Sequence, residues 1–247
     1  MSGFLKAGLL GWPVSHSMSP AIHREFMTRA GITGEYRLFP VKPEDLAEKV
    51  ESVRREGYRG LNITLPHKQS AMKLCTVISE EALKACAVNT LVAAGEHFSG
   101  HNTDVGGFRV FAGELPPPFF VLGHGGAARA VLAAMGARKC FILGRGESIP
   151  DNRLGEKGTI VNATPLGWRN RDPFPLKIHS GWSFADLNYN PFWRWRNSLE
   201  HQGVNVRTGE RMLVEQAACS FALWTGYTPE EELKQTVLER IKAILHG

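Results

Sequence analysis

The sequence predicts an α/β protein of two domains, an N-terminal domain with a mainly parallel sheet and a second domain that binds a nucleotide. In the first half of the chain, apolar strands alternate with helical segments at the spacing of βα units. Near the middle, an apolar run ends at a glycine-rich turn that leads into a helix of small residues. The length of 247 residues is enough for two ordinary domains.

Composition and charge favour a small anionic ligand over a macromolecule. The 29 basic and 24 acidic residues give a formal charge of +5, and this excess is scattered along the chain. No basic stripe is interleaved with aromatic residues, so no nucleic-acid partner is predicted. A mild positive bias suits phosphates and carboxylates.

Cysteines, histidines and hydropathy exclude several other classes. The four cysteines have no C-x-x-C or metal-ligand spacing, and the nine histidines include no H-x-x-x-H pair of the metalloprotease kind, so we expect no metal and a reducing, cytoplasmic compartment. The N-terminus does not resemble a signal peptide. No apolar run approaches the roughly 18 residues of a membrane span, so no membrane association is predicted.

The first domain is predicted from alternating strands and helices. Ser19, followed by Pro20, is expected to cap the first helix. The expected strands are 4–10, 35–39, 60–65, 87–94 and 97–101, and the expected helices are 19–30, 43–55 and a segment ending near residue 75.

Polar side chains follow several of these strands, at the sheet edge where ligands bind in α/β folds. Each cluster alone is more typical of a helix cap, a turn or a charged surface. Together they predict a site for a polyhydroxylated substrate, with a Lys–Asp pair as proton donor and acceptor. The clusters are Ser17 with Ser19; Asn62, Thr64 and Lys68; Asn89 with Thr90; and Asn102, Thr103 and Asp104.

The glycine turn follows the apolar run 119–122 and has the pattern G-x-G-x-x-A. The first glycine allows a tight turn, and the second lets the backbone approach a pyrophosphate at the helix N-terminus. The turn therefore predicts a Rossmann-like fold that binds a dinucleotide. The residues expected at the cofactor are Gly123, His124, Gly125, Gly126 and Ala127.

The next strand, 139–143, ends at Gly144-Arg145-Gly146. An acidic residue at this position would favour NAD by binding the ribose 2′-hydroxyl, whereas an arginine can pair with the 2′-phosphate. Arg145 therefore favours NADP(H), although it is also compatible with a plain surface turn.

A series of motifs, in order along almost the whole chain, resembles the signatures of shikimate dehydrogenases. They are Gly11-x-Pro13-x-x-His16-Ser17-x-Ser19-Pro20, Asn62-x-Thr64-x-Pro66-x-Lys68, Ala87-Val88-Asn89-Thr90, Gly100-x-Asn102-Thr103-Asp104, Asn162-Ala163-Thr164-Pro165 and Met212-Leu213-Val214-x-Gln216-Ala217-Ala218. This resemblance covers both predicted domains.

The resemblance implies roles for individual residues. Lys68 is the acid/base group, with Asp104 as its partner. Ser17, Ser19 and Tyr189 would bind the substrate carboxylate. The residues implied at the ring hydroxyls are Thr64, Asn89, Asp104 and Gln216, and those implied at the cofactor include Ala163, Thr164 and Met212.

The second domain departs from the family pattern in two ways. Gly144 occupies the position where the family usually has Asn, and Gly146 the position where it has Thr or Ser. His124 occupies a position where the family usually has alanine. The segment 146–158 is too short for the family's further strand and helix, so the fold is expected to lack one edge strand and its helix. We expect weaker cofactor binding as a result.

The remaining elements are strands at 159–163, 182–187 and 204–207 and helices at 191–199, 209–223 and 229–245. In the family the last two helices return to the first domain. The predicted substrate-binding domain is therefore 1–104 with 210–247, and the dinucleotide domain is 105–209.

These observations predict an NADP-dependent shikimate dehydrogenase, a cytoplasmic monomer or homodimer that interconverts 3-dehydroshikimate and shikimate. Two alternatives stay open at this point. One is a quinate/shikimate dehydrogenase that uses NAD, or a divergent paralogue. The other is a non-catalytic relative that binds shikimate, against which the retained Lys68 and Asp104 argue.

Overall fold

The computed structural model describes residues 3–136, 139–144, 146–149, 157–167, 176, 178, 180–189 and 194–246. They form two sheets flanked by helices, as the sequence predicts for an α/β protein. In this part of the chain, no helix is long and apolar enough to cross a membrane.

The first sheet has six strands, three of whose five pairings are parallel. The strands are β1 (Leu5–Gly11), β2 (Gly34–Pro40), β3 (Gly60–Ile63), β4 (Cys75–Ile78), β5 (Thr90–Ala94) and β6 (His97–His101). They are arranged in the order β2-β1-β3-β5-β6-β4, and β5 runs antiparallel to both of its neighbours. The carboxyl ends of β1 and β3 therefore lie side by side.

The second sheet is parallel throughout, with the order β11-β10-β9-β7-β8. Its strands are β7 (Phe119–Leu122), β8 (Cys140–Leu143), β9 (Thr159–Asn162), β10 (Ser183–Asp186) and β11 (Asn205–Arg207). β8 is the edge strand, and within the described residues nothing pairs with its outer side. Among the described residues, the sheet therefore has five strands and ends at β8.

Eight α-helices pack on these sheets within the described residues. They are α1 (Ser19–Arg29), α2 (Leu46–Arg55), α3 (Glu80–Ala85), α4 (Thr103–Ala112), α5 (Gly126–Met135), α6 (Arg194–His201), α7 (Glu210–Thr225) and α8 (Glu231–His246). As expected, α7 and α8 return to the first sheet, where their apolar faces join those of α1 and β1 in one core. Trp224 on α7 donates a hydrogen bond from Nε1 to the Leu91 carbonyl oxygen of β5, at 3.0 Å.

One local prediction is wrong, and two expected helices are wholly or partly of the 3-10 type. Ser19 does not cap α1: the N-cap is Met18, and Ser17 Oγ instead accepts a hydrogen bond from the Ser19 N–H. No α-helix reaches residue 75, because Ser70–Leu74 is a 3-10 helix and the chain then extends into β4 to pair with β6. The helix expected over 43–55 begins with a separate 3-10 turn, Pro43–Asp45.

Gly60 on β3 lies directly beneath the buried ring of Trp224. A Cβ atom at residue 60 would stand 2.3 Å from three ring atoms, and Trp224 is too tightly enclosed to move aside. The contact between α7 and the first sheet therefore requires glycine here.

We predict that Gly60→Ala lowers the free energy of unfolding by about 3 kcal/mol, the upper end of the usual cost of overpacking. Urea denaturation of the variant measures this loss. Gly106→Ala in α4 is the matched control, because its Cβ would contact only Cys219 Sγ at an ordinary 3.7 Å. An equal loss in both variants would contradict the packing argument.

His23 on α1 is buried in an aromatic cluster beneath α7. The centroid of its ring lies 4.4 Å from that of the stacked Tyr36 ring and 5.1 Å from the centroid of the Trp224 ring. Neither ring nitrogen has a hydrogen-bond partner among the described residues. Burial lowers the pKa of His23 to about 3. The nearby Asn62 side chain raises this pKa but offsets only part of the effect of burial.

This histidine should make stability depend on pH between about 6.5 and 3. Below 6.5 the unfolded chain binds a proton that the folded chain does not, so stability falls as the pH is lowered. We expect His23→Phe to remove about 2 kcal/mol of the loss between pH 7.5 and pH 5, at 1.36 kcal/mol per pH unit below 6.5. Urea denaturation of both proteins at each pH tests this, and parallel pH profiles would refute it.

Candidate active site

The centre of the site is an ion pair between Lys68 and Asp104. Lys68 lies in the turn after β3, and Asp104 lies in the first turn of α4. Their Nζ and Oδ2 atoms are 2.5 Å apart, and the side chains are only 16% and 8% exposed. The tertiary structure thus forms the Lys–Asp pair that the sequence predicts.

Asn89 fixes the other side of the Asp104 carboxylate. Its Nδ2 donates to Asp104 Oδ1 and to Thr103 Oγ1, both at 2.9 Å, while its Oδ1 accepts from the Thr103 N–H at 2.7 Å. Asn102 caps α4 by accepting from the Val105 N–H, and it donates to the Ala87 carbonyl oxygen. The start of α4 is therefore bound to the segment before β5, which holds Asp104 in place.

A buried network of neutral polar groups underlies this pair. Ser220 Oγ on α7 lies within 3.1 Å of Thr90 Oγ1 and Thr103 Oγ1, and it accepts from Asn62 Nδ2 at 2.9 Å. The Tyr36 hydroxyl donates to Asn62 Oδ1 at 2.8 Å. Ser220 is not among the site residues predicted from the sequence. The one feature of the sequence that could have indicated it is a hydroxyl residue on an otherwise apolar face of α7.

The serines expected to bind the carboxylate lie at the start of α1, Ser19 as its first residue and Ser17 just before it. Ser17 Oγ and Ser19 Oγ are 3.1 Å apart in the segment that follows β1. Thr64 donates its N–H to the Leu10 carbonyl oxygen, and a Cβ at Gly11 would stand 2.3 Å from Thr64 Cγ2. Thr64 thus lies against the carboxyl end of β1, and the two serines follow that strand in the chain.

Two predicted site residues lie on α7. Gln216 packs closely against α4, where a Cβ at Gly107 would be 3.0 Å from its Cβ, and its Nε2 donates to the Leu213 carbonyl oxygen of its own helix. Met212 is buried in the core beneath the second sheet, with 7% of it exposed. Tyr189 follows β10, and burial raises its pKa.

The glycine turn, Gly123 to Gly126, has a geometry suited to binding phosphate groups, and we call it the cradle. Gly123 has a φ of +108°, and a Cβ there would lie 2.8 Å from Thr164 Cγ2. Gly125 is the N-cap of α5, makes no side-chain cap and has open space where a Cβ would be. His124 is exposed. The residues present therefore fit a dinucleotide, because uncapped N–H groups and the helix dipole favour a pyrophosphate there.

The adjoining loop after β9 is fixed by hydrogen bonds. Buried Asn162 donates to Asp186 Oδ1 at 3.0 Å and accepts from the Thr164 hydroxyl at 2.6 Å. Asn188 donates to the Thr164 carbonyl oxygen at 3.0 Å. These bonds hold Ala163 and Thr164 against Gly123, which places both at the cradle.

Gly126 lies at the end of the cradle, next to the Lys68 side chain of the ion pair. A Cβ at Gly126, the first residue of α5, would stand 3.1 Å from Lys68 Cδ and 3.5 Å from Lys68 Cβ. The helix that begins at the cradle therefore packs directly on the stem of the lysine. A dinucleotide bound at the turn would lie next to a group able to donate or accept a proton.

Arg145, expected at the adenosine 2′-phosphate, lies outside the described residues. The structure adds a carboxylate at this same strand end that was not predicted from the sequence, that of Glu147, which accepts a hydrogen bond from the Gly144 N–H. Within the described residues, no group of three or more His, Cys, Asp or Glu side chains could hold a metal ion.

Comparison with known proteins agrees with this arrangement. The family model for the shikimate dehydrogenase substrate binding domain matches residues 9–91, and that for the shikimate 5′-dehydrogenase C-terminal domain matches residues 209–238. Shikimate dehydrogenase (NADP(+)) of Paracoccus denitrificans (strain Pd 1222) is 34% identical, with 94% of this chain and 95% of that protein covered. The Bacillus subtilis (strain 168) enzyme of the same name is 33% identical, with 94% and 95% covered.

A solved structure gives the same result for the fold. Shikimate 5-dehydrogenase from Thermus thermophilus, in complex with NADP(H) and shikimate, superposes with a TM-score of 0.85 and 32% identity. The match covers 96% of this chain and 99% of that one. With this identity over nearly the full length of its relatives, the chain belongs to the shikimate dehydrogenase family.

Proposed function

We propose that this protein is an NADP-dependent shikimate dehydrogenase, which reversibly reduces 3-dehydroshikimate to shikimate. The observation that carries the proposal is that Lys68, paired with Asp104, packs its side chain against Gly126, the first residue of α5. The names of the relatives, and a related structure that holds NADP(H) and shikimate, support the same activity.

The chemistry follows from what the reaction requires of this chain. The bound nicotinamide supplies or accepts the hydride, and a proton must reach or leave the substrate oxygen separately. In the reducing direction, the Lys68 ammonium donates that proton to the carbonyl oxygen. Asp104 accepts hydrogen bonds from the same ammonium and from the substrate hydroxyl, so it orients both groups.

Binding of the substrate is assigned to the polar groups around this pair. Ser17, Ser19 and Tyr189 bind the carboxylate, and Thr64, Asn89, Asp104 and Gln216 bind the ring hydroxyls. The hydrogen bond between the two serine hydroxyls, and that from Asn89 to Asp104, support these assignments. Gln216 would have to leave its bond to the Leu213 carbonyl oxygen to reach a ligand.

The cofactor is assigned to the glycine turn and the loop after β9, next to the ion pair. Gly123 to Ala127 would hold the pyrophosphate, Ala163, Thr164 and Met212 would face the nicotinamide half, and Arg145 would pair with the 2′-phosphate. On this proposal, residues 1–104 and 210–247 form the substrate-binding domain and 105–209 the dinucleotide domain. We further propose a monomer or homodimer in the cytoplasm.

The first experiment follows the absorbance of reduced nicotinamide, with purified protein and shikimate and with NADP+ and NAD+ compared over a wide range of concentrations. We expect reduction of both cofactors, with the higher kcat/KM for NADP+. If shikimate binds in calorimetry but neither cofactor is reduced, the protein is a binding relative and the proposed activity is wrong.

We predict that Lys68→Met lowers kcat about a thousandfold, within the range that general acid–base catalysis contributes. Methionine keeps the stem that packs on Gly126 but has no proton to transfer. Calorimetry should still detect shikimate binding within about threefold of the unsubstituted protein, a difference below 1 kcal/mol.

The matched control is Lys73→Met, at an exposed lysine of the neighbouring 3-10 helix. This variant should retain the original kcat. Equal losses of turnover and of shikimate affinity in Lys68→Met would make Lys68 a binding contact instead of the proton donor.

A further inference from the structure

The turn after β8 carries a carboxylate that folds back onto the end of the strand. Gly144 donates its N–H to Glu147 Oε2 at 2.7 Å, and Glu147 donates its own N–H to the Gly144 carbonyl oxygen at 3.3 Å. Gly146, within the turn, has a φ of +81°. Backbone and side chain of Glu147 are thus both bound to Gly144.

Glycine at position 144 is what leaves room for this carboxylate. A Cβ there would stand 3.2 to 3.4 Å from Cδ, Oε1 and Oε2 of Glu147, closer than most real Cβ contacts. The carboxylate therefore occupies the space into which a side chain at the end of β8 would project.

This strand end adjoins the dinucleotide cradle. Gly123, the first glycine of the turn, donates its N–H to the carbonyl oxygen of Leu143, the last residue of β8, at 3.3 Å. In dinucleotide-binding folds, the side chain that follows this strand meets the adenosine ribose, where a carboxylate binds the 2′-hydroxyl of NAD. Glu147 is exposed, so its charge is available to a ligand.

We infer that Glu147 is a specificity-determining residue that weakens the preference of this protein for NADP(H) over NAD(H). The inference rests on the proposed function. The carboxylate can accept a hydrogen bond from the 2′-hydroxyl of NADH, whereas it repels the 2′-phosphate of NADPH. The turn thus places a negative charge two residues after Arg145, whose guanidinium would attract the same phosphate.

The alternative is that Glu147 only closes the turn. Glu147→Gln separates the two roles, because the amide oxygen can still accept the Gly144 N–H while the negative charge is lost. Arg145 is unchanged in this variant, so any difference between the two cofactors reports the carboxylate.

The test is a fluorescence titration of the purified protein with NADPH and, separately, with NADH, which requires no turnover. We expect Glu147→Gln to lower the Kd for NADPH about tenfold, the change that 1.4 kcal/mol produces. The Kd for NADH should stay the same or rise. Glu114→Gln, at an exposed residue of the loop before β7, is the matched control for net charge and should leave both Kd values unchanged.

The outcomes separate this inference from the proposed function. If Glu147→Gln shifts both Kd values by the same factor, or neither, the residue is a structural cap and the inference is wrong while the proposed function stands. An equal gain for NADPH in Glu114→Gln would show a general charge effect and would also overturn it. If the unsubstituted protein binds neither cofactor at millimolar concentration, the proposed function fails and the inference with it.

Discussion

The site depends on keeping the charges of Lys68 and Asp104 paired where both are mostly removed from water. Burying an ion pair costs desolvation energy that its attraction alone does not always recover, so such a pair needs further partners. Asp104 has them: Asn89 donates to its second oxygen, and the N-terminal end of α4 favours a negative charge. The neutral hydroxyls and amides beneath satisfy one another without adding charge. A buried pair of this kind is weak evidence for stability, which agrees with the proton-transferring role that we propose for it.

The same region joins the two halves of the chain. Helix α4 carries Asp104 at its start, packs on α5 and α7, and leads towards the second sheet. Glycine permits the close contacts, at Gly107 beneath α7 and at Gly126 on the lysine stem. The returning helix α7 also supplies Ser220. The polar network beneath the ion pair is therefore complete only when the C-terminal helices dock on the first sheet.

The departure from the family pattern lies at the end of β8, beside the glycine turn that we assign to the dinucleotide. Groups near Asp104 are buried and bonded to one another, so replacing one would leave its partners unsatisfied. The end of β8 is a sheet edge whose turn is exposed, and an altered sequence there disturbs few neighbours. Gly144 and Glu147 are therefore positions where the sequence can change without disturbing the Lys68–Asp104 pair.

The sequence by itself determined most of the secondary structure and the strand ends at which polar residues gather, because apolar periodicity and glycine and proline positions are local signals. The structure shows that Lys68 and Asp104 do meet, although the roles of the individual site residues stay predictions. Only the tertiary structure decided the strand β4, which forms by pairing with β6, and the place of Ser220 beneath the site. It alone decided the fold-back of Glu147 as well, since side-chain direction and contacts between distant segments leave no periodic trace in the sequence.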